Sequence, residues 1–328
     1  MSMSNILLTL FKLMIKLMIK PPVCLGLLSV LCCPLISTSA AAAQAKILIV
    51  NSDDTVNKYR QVKEAFKLQI TPFASRIIDF NVQQSQQPEL LEKLIKDESP
   101  DLIYSIGSQA YQLAAQYGGN KPVLFSSVIN WQRFERRDNS YGVANELSLS
   151  QELSLLRFVL PGLNRIGVVY DPSYSTERIT EARNEARELG LTLVEQTVTE
   201  ADPLDKNLDG LLAKIDVLWL IADPGVLADR SAVEKIFTAS TQQKKPVYTY
   251  SDAFMNYGAS LVVAADTPTM GRQAANLAQS ILQREPIKET VQSPAGSHIT
   301  LNACQLGKLN TAYNSDALDA INQLLECR

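Results

Sequence analysis

From Lys46 onward, short apolar runs alternate with segments whose apolar positions recur every three or four residues. That alternation predicts parallel strands joined by crossover helices. Strands are expected at 46–52, 76–82, 102–107, 122–128, 165–171, 191–198, 217–223, 246–251 and 260–266. Several, such as "KILIVNS", "RIGVVYD" and "VLWLIAD", are nearly unbroken Val/Ile/Leu runs, as in strands covered on both faces. Helices are expected at 55–68, 88–98, 108–117, 148–159, 174–189, 228–242 and 270–283. From Thr176 the apolar stripe is Ile179, Ala182, Ala186 and Leu189. The rhythm breaks once, at "INWQRFERRDNSYGVANELSLSQE" (129–152), which is polar and rich in turn formers, and resumes at Arg165. The chain thus reads as two similar α/β halves joined around 145–150.

Residues 1–45 follow another pattern. They carry Lys12, Lys16 and Lys20, no acidic residue, an apolar run from Val23 to Ile36, and small residues offering A-x-A cleavage near Ala43 or Ala45. This predicts a secretory signal peptide, since the apolar core is shorter than the roughly 20 residues a bilayer span needs. A lipoprotein is disfavoured because Cys32 and Cys33 lack a small residue just before them. The remaining chain, about 285 residues, is long enough for two lobes.

Without the three lysines, 28 of the 31 basic residues face 34 acidic ones, a formal charge of −6, and no basic stripe suggests nucleic acid. Of the five cysteines only Cys304 and Cys327 lie beyond the leader. In an oxidising compartment a disulfide between them and two free thiols are both open.

In open α/β sheets, ligands bind beyond the carboxyl ends of the strands, where helix N-termini converge. Here those ends are polar: "NSDD" (51–54), "GSQ" (107–109), "SSVIN" (126–130), "DPSYST" (171–176), "ADP" (222–224) and "YSD" (250–252). Ser108 offers a hydroxyl and a helix-start amide, or simply a cap. Of Ser173, Ser175 and Thr176, one is expected to cap the following helix, and the surplus suggests a site for an oxygen-rich group. Asp223 ends an apolar strand, so partial burial and a partner are expected, either a ligand ammonium or a neighbouring protein group. Catalysis has little support. The single histidine, His298, lies outside any nucleophile or metal spacing, and G-x-S-x-G, P-loop and G-x-G-x-x-G sequences are missing. No catalytic residue, metal or cofactor is expected.

The ordered set "KPVLFSSV", "QELSLLRFVLPGLNRIGVVYDPSYS", "IDVLWLIADPGVLADRSAVEKIFTASTQQKKPVY", "YGASLVVAADTPTMGRQAANLAQSILQREP" and "ITLNACQLGKLN" resembles the substrate-binding proteins of ABC transporters, in the family with tryptophan- and tyrosine-binding members. The resemblance runs over nearly the whole chain past the leader. It implies a periplasmic-binding-protein type I fold: two Rossmann-like lobes with parallel sheets, a ligand cleft between them and three crossovers. Lobe one is expected at 46–145 plus 267–288, and lobe two at 146–266 plus 289–328. The resemblance further implies a non-enzymatic, monomeric, periplasmic receptor that hands an amino acid or similar small polar solute to a membrane ABC permease. The same fold reporting to a membrane signalling protein is the alternative. Ser173, Tyr174, Ser175, Thr176, Asp223 and Tyr250 from lobe two, with Ser108, Ser126, Ser127 and Asn130 from lobe one, are the implied ligand residues, Asp223 for the ammonium. Many members have Asp-Pro after the fourth strand, whereas this chain has "SSVINWQRFERR", so its lobe-one wall differs. Trp131, Tyr174, Tyr250 and Tyr257 are candidates for an aromatic slot.

Overall fold

The computed structural model describes residues 45–85, 87–200 and 203–327. The expected signal peptide lies outside the described residues except for Ala45. The described residues belong to one compact unit, built around two sheets.

The first sheet contains β1 (Ala45–Asn51), β2 (Ala74–Asn81), β3 (Leu102–Ile106), β4 (Val123–Ser126), β5 (Ser140–Val143) and β11 (Val291–Gln292), in the order β11-β5-β4-β3-β1-β2. Every pairing in it is parallel. Crossover helices α1 (Asn57–Ile70), α2 (Glu89–Glu98) and α3 (Ser108–Tyr117) bury Val62, Phe66, Leu91, Ile95, Ala110 and Ala114 against it. Both faces are therefore covered, which is why β1 and β3 carry the continuous apolar runs Ile47–Val50 and Leu102–Tyr104.

The second sheet contains β6 (Arg165–Tyr170), β7 (Thr192–Thr197), β8 (Val217–Leu220), β9 (Val247–Thr249), β10 (Leu261–Ala265), β12 (Ser297–Asn302) and β13 (Gln323–Leu325), in the order β13-β12-β10-β9-β8-β6-β7. Only β10 and β12 pair antiparallel. Helices α4 (Leu149–Val159) and α5 (Pro172–Glu188) cover one face, and α6 (Leu204–Leu212) and α7 (Arg230–Gln242) the other. His298 sits within β12, opposite Ala264.

The chain passes between the sheets three times: after β5, between β10 and α8 (Thr267–Leu282), and between β11 and β12. Helix α8 returns to the first sheet and crosses α1 closely. At that crossing Gly271 is required, since a Cβ there would lie 2.4 Å from the Val62 carbonyl oxygen. The crossovers are tied together by Ala144 N–H donating to Gln292 O at 2.8 Å and Asp266 N–H to Gly296 O at 2.9 Å.

Every expected strand is present, and β5, β11, β12, β13, α6 and the short helix α9 (Ala303–Lys308) were not anticipated. Part of the stretch expected to be a turn-rich linker forms β5, which is four residues long and flanked by β4 and β11. The return segment of lobe one, expected to end at 288, reaches Gln292 because Gly142 N–H donates to Thr290 O at 2.8 Å and draws β11 into the first sheet. The cysteine question resolves as a disulfide: Cys304 and Cys327 are bonded, with Cα atoms 4.7 Å apart, fastening the C-terminal tail to α9. Among the described residues no helix is long and apolar enough to cross a membrane.

Candidate functional site

The end of β6 differs from expectation. Helix α5 starts at Pro172, and its N-cap is Asp171, whose side chain accepts from Ser173 N–H at 2.8 Å. No hydroxyl caps it. Proline fits the first turn because its missing N–H would be unpaired there anyway. Thr176 Oγ1 donates back to Pro172 O at 2.7 Å, so its hydroxyl is occupied by its own helix. Ser173 is exposed, and Tyr174 is 56% exposed. Ser175 alone turns inward and donates to Asp223 Oδ2 at 2.6 Å.

Asp223 is fully buried, and its partners are all in the second lobe. Oδ2 also accepts from Asp171 N–H at 3.0 Å, while Oδ1 accepts from Gly225 N–H at 2.9 Å and Val226 N–H at 3.0 Å. A carboxylate presents about four lone-pair sites, so these donors saturate it. Of the two partners expected for it, the neighbouring protein groups are present, and through them Asp223 binds the β6 and β8 exits to one another.

On the first lobe, Gly107 (φ +88°), not Ser108, is the N-cap of α3. Ser52 Oγ accepts from Ala110 N–H at 3.0 Å, and a Cβ on Gly107 would lie 2.6 Å from that oxygen. Ser108 is half-buried at the helix start. Ser126 is fully buried and bonded at 2.7 Å to Tyr104 OH, which faces the core beside Phe66. Ser127 (φ +57°) donates to Met270 Sδ at 3.6 Å and reaches the space between the lobes. Asn130 (φ +50°) bridges the lobes. Its N–H donates to Glu146 Oε1 at 2.9 Å and its Nδ2 to Ala222 O, beside Asp223.

The interlobe cleft has a volume of about 300 Å³ and is lined by Val56, Tyr59, Ser127 and Ile129 from lobe one and by Tyr250 and Ser251 from lobe two. Tyr250 packs edge-on against Phe254, ring centroids 5.6 Å apart. Its phenol is pushed up to about 12 by burial and by the charge of Glu146. Tyr257 stacks on Phe237 and packs against the second lobe's core. Trp131 and Tyr174 line a neighbouring cavity of about 250 Å³ together with Asn130, Glu146, Ser175 and Arg178.

That neighbouring wall holds a charge cluster the strand-end rule misses. Glu152 on α4 is 3% exposed and accepts from Arg178 on α5 at 2.7 Å. The guanidinium lies over Trp219, 5.7 Å from its ring centroid. Burial, with Glu146 adding a second negative charge, pushes the Glu152 carboxyl up to about 7 against the attraction of Arg178. The sequence signal is Glu152 sitting within the apolar stripe Leu149, Leu153 and Leu156 of α4. Among the described residues no group of three His, Cys, Asp or Glu stands together to hold a metal ion.

Two α/β lobes with strand ends facing a small cleft define the architecture of a solute-binding protein of periplasmic-binding-protein type I fold. The chain belongs to the ABC transporter substrate binding protein family, whose model matches residues 45–323. A tyrosine-binding protein of Clostridioides difficile (strain R20291) is 23% identical over 222 residues, covering 64% of this chain and 63% of that protein, less than two thirds of its length. The ligand-free, open structure of a substrate-binding protein with adhesive properties from Clostridium difficile superposes with a TM-score of 0.67 at 22% identity, covering 87% of this chain and all of that one. A domain from Streptococcus pneumonia in complex with L-Trp superposes at 0.57 with 17% identity, covering 85% and 100%.

Proposed function

We propose that the protein is an exported receptor that binds an amino acid or similar small polar solute in its interlobe cleft and delivers it to a membrane ABC permease. The observation that carries this reading is the 300 Å³ cleft, walled by both lobes at polar strand ends. A space of that size suits a small solute. Three adjacent crossovers allow the lobes to close over it by hinge motion. The tyrosine-binding relative and the L-Trp complex support an aromatic amino acid as the first solute to test. The lysine-bearing apolar leader supports export to the periplasm, and a monomer acting without a cofactor is the working form.

Thermal-shift screening of the purified chain lacking residues 1–45 against amino acids, peptides and sugars tests the reading. A raised melting temperature with an amino acid is expected; a folded protein that shifts with no small solute overturns it. Co-purification with a permease, and not with a sensor kinase or cyclase, is the outcome expected from membranes of the native host.

A further inference from the structure

The loop leaving β4 turns twice through the left-handed region, at Ser127 (φ +57°) and Asn130 (φ +50°). Asparagine visits that region more readily than most residues, and glycine does so at still lower cost. What glycine lacks is a side chain, and the Asn130 amide is in use: Nδ2 donates to Ala222 O, at the exit of β8 in the other lobe. Both ends of this bond lie outside the three crossovers, so it joins the body of lobe one directly to the body of lobe two.

Each end is fixed within its own surroundings. Asn130 N–H donates to Glu146 Oε1 at 2.9 Å, and its carbonyl accepts from Arg133 N–H at 3.1 Å, which holds the base of the side chain beside the first crossover. Ala222 lies between Ile221, whose carbonyl accepts from Asp223 N–H at 2.9 Å, and Asp223 itself, whose carboxylate is saturated by the β6 and β8 exits. The acceptor therefore cannot follow the amide when the lobes move apart. Ile129 lines the 300 Å³ cleft, and Asn130 lines the neighbouring 250 Å³ cavity with Tyr174 and Ser175 of lobe two. The amide thus stands at the seam of the lobes, where hinge motion changes the separation of its two ends.

We propose that Asn130 is an interlobe latch: its side-chain amide, held to Ala222 O, keeps the lobes together before any solute arrives, and its loss lets them open. A hydrogen bond between neutral groups shifts such an equilibrium by about three- to tenfold. A receptor whose binding-competent arrangement is less populated binds more weakly by the same factor, so the latch acts on affinity through the lobe equilibrium. This goes beyond the solute-binding reading and needs no solute to be tested.

Asn130→Gly is the informative substitution, because it keeps the left-handed backbone and the N–H to Glu146 while removing the amide. In the chain lacking residues 1–45, Lys58→Cys and Arg230→Cys place spin labels at exposed first-turn positions of α1 and α7, on opposite lobes. Cys304 and Cys327 are bonded to one another and stay unlabelled. The protein is unfolded in urea, dialysed free of small molecules and refolded, and label separations are measured by double electron–electron resonance. In Asn130→Gly the ratio of long to short separations is expected to rise about three- to tenfold over wild type, with an unchanged far-ultraviolet circular dichroism spectrum. Asn130→Asp, which sets a carboxylate against the Ala222 carbonyl, should raise the ratio at least as far. An unchanged distribution, or a shift to shorter separations, in folded Asn130→Gly overturns the latch and leaves the solute-binding reading standing. A widened distribution in a protein whose melting no small solute shifts supports the latch and overturns that reading instead. If Asn130→Gly does not fold, Asn130→Asp carries the test, and an unchanged ratio in it overturns the latch.

Discussion

Replacing Asp223 with alanine separates a structural carboxylate from a ligand-binding one. Its oxygens accept four hydrogen bonds between 2.6 and 3.0 Å, from Asp171 N–H, Ser175 Oγ, Gly225 N–H and Val226 N–H. Water entering the space left by the side chain reaches the partly exposed Asp171 and Gly225 amides. Ser175 and Val226 are 6% and 2% exposed, so their donors stay dry. Two buried donors left unpaired at about 1.5–2.5 kcal/mol each predict a loss of about 3–5 kcal/mol in ligand-free stability. Ser175→Ala removes one bond to a charged acceptor and should cost about 1.5–2 kcal/mol. Thr176→Ala removes only a back-bond to Pro172 on an exposed face and should stay within about 0.5 kcal/mol. Urea unfolding of the ligand-free variants, followed by far-ultraviolet circular dichroism, ranks the three. If Asp223→Ala unfolds within about 1 kcal/mol of wild type while solute affinity collapses, the saturation argument fails and the acid belongs to the ligand.

The Cys304–Cys327 disulfide closes a loop with a sequence separation of 23, so reduction, or Cys327→Ser, should lower stability by about 3 kcal/mol in urea; an unchanged midpoint under reductant contradicts this. For Glu152, burial places the folded-state carboxyl near 7, above its unfolded value of about 4.3. The folded state therefore holds this proton more tightly, and its stabilising contribution, complete below the unfolded value, is lost as pH rises from about 4.5 through 7. Stability measured between pH 5 and 7 should fall more steeply in wild type than in Glu152→Gln, and parallel curves would exclude the shift. Gly107→Ala places a side chain at φ +88° against Ser52 and Tyr59, predicting a loss of about 2–3 kcal/mol by the same urea assay, which a loss under about 0.5 kcal/mol would contradict.

The βα rhythm was legible because strands covered on both faces are mostly apolar, as β1, β3 and β8 are. The strands missed in the sequence lie where that rule does not apply. β5 is four residues containing Gly142, whose missing side chain makes room for the Phe125 ring, and β11 is only two residues long. β12 pairs antiparallel near the sheet edge and carries His298, so its pattern is not a continuous apolar run. The disulfide was undecidable from sequence because it depends on where α9 and the tail come to rest.

For the site, polar strand ends pointed to the side of the sheets where the interlobe cavity lies, yet did not say which side chains line it. Ser126 and Ser127 are neighbours in sequence, but the first is extended at the end of β4 and turns to Tyr104, while the left-handed backbone of the second turns it to Met270. The structural role of Asp223 was readable in Asp223-Pro224-Gly225, a turn sequence in which an aspartate accepts from the amides two and three residues ahead, as Gly225 and Val226 provide. Glu146 accepts from Asn130 N–H, which comes from a distant segment, so that part of its surroundings could not be read from "VANELS". An acid whose own turn supplies its donors can be recognised in the sequence, and an acid whose donor comes from a distant segment cannot.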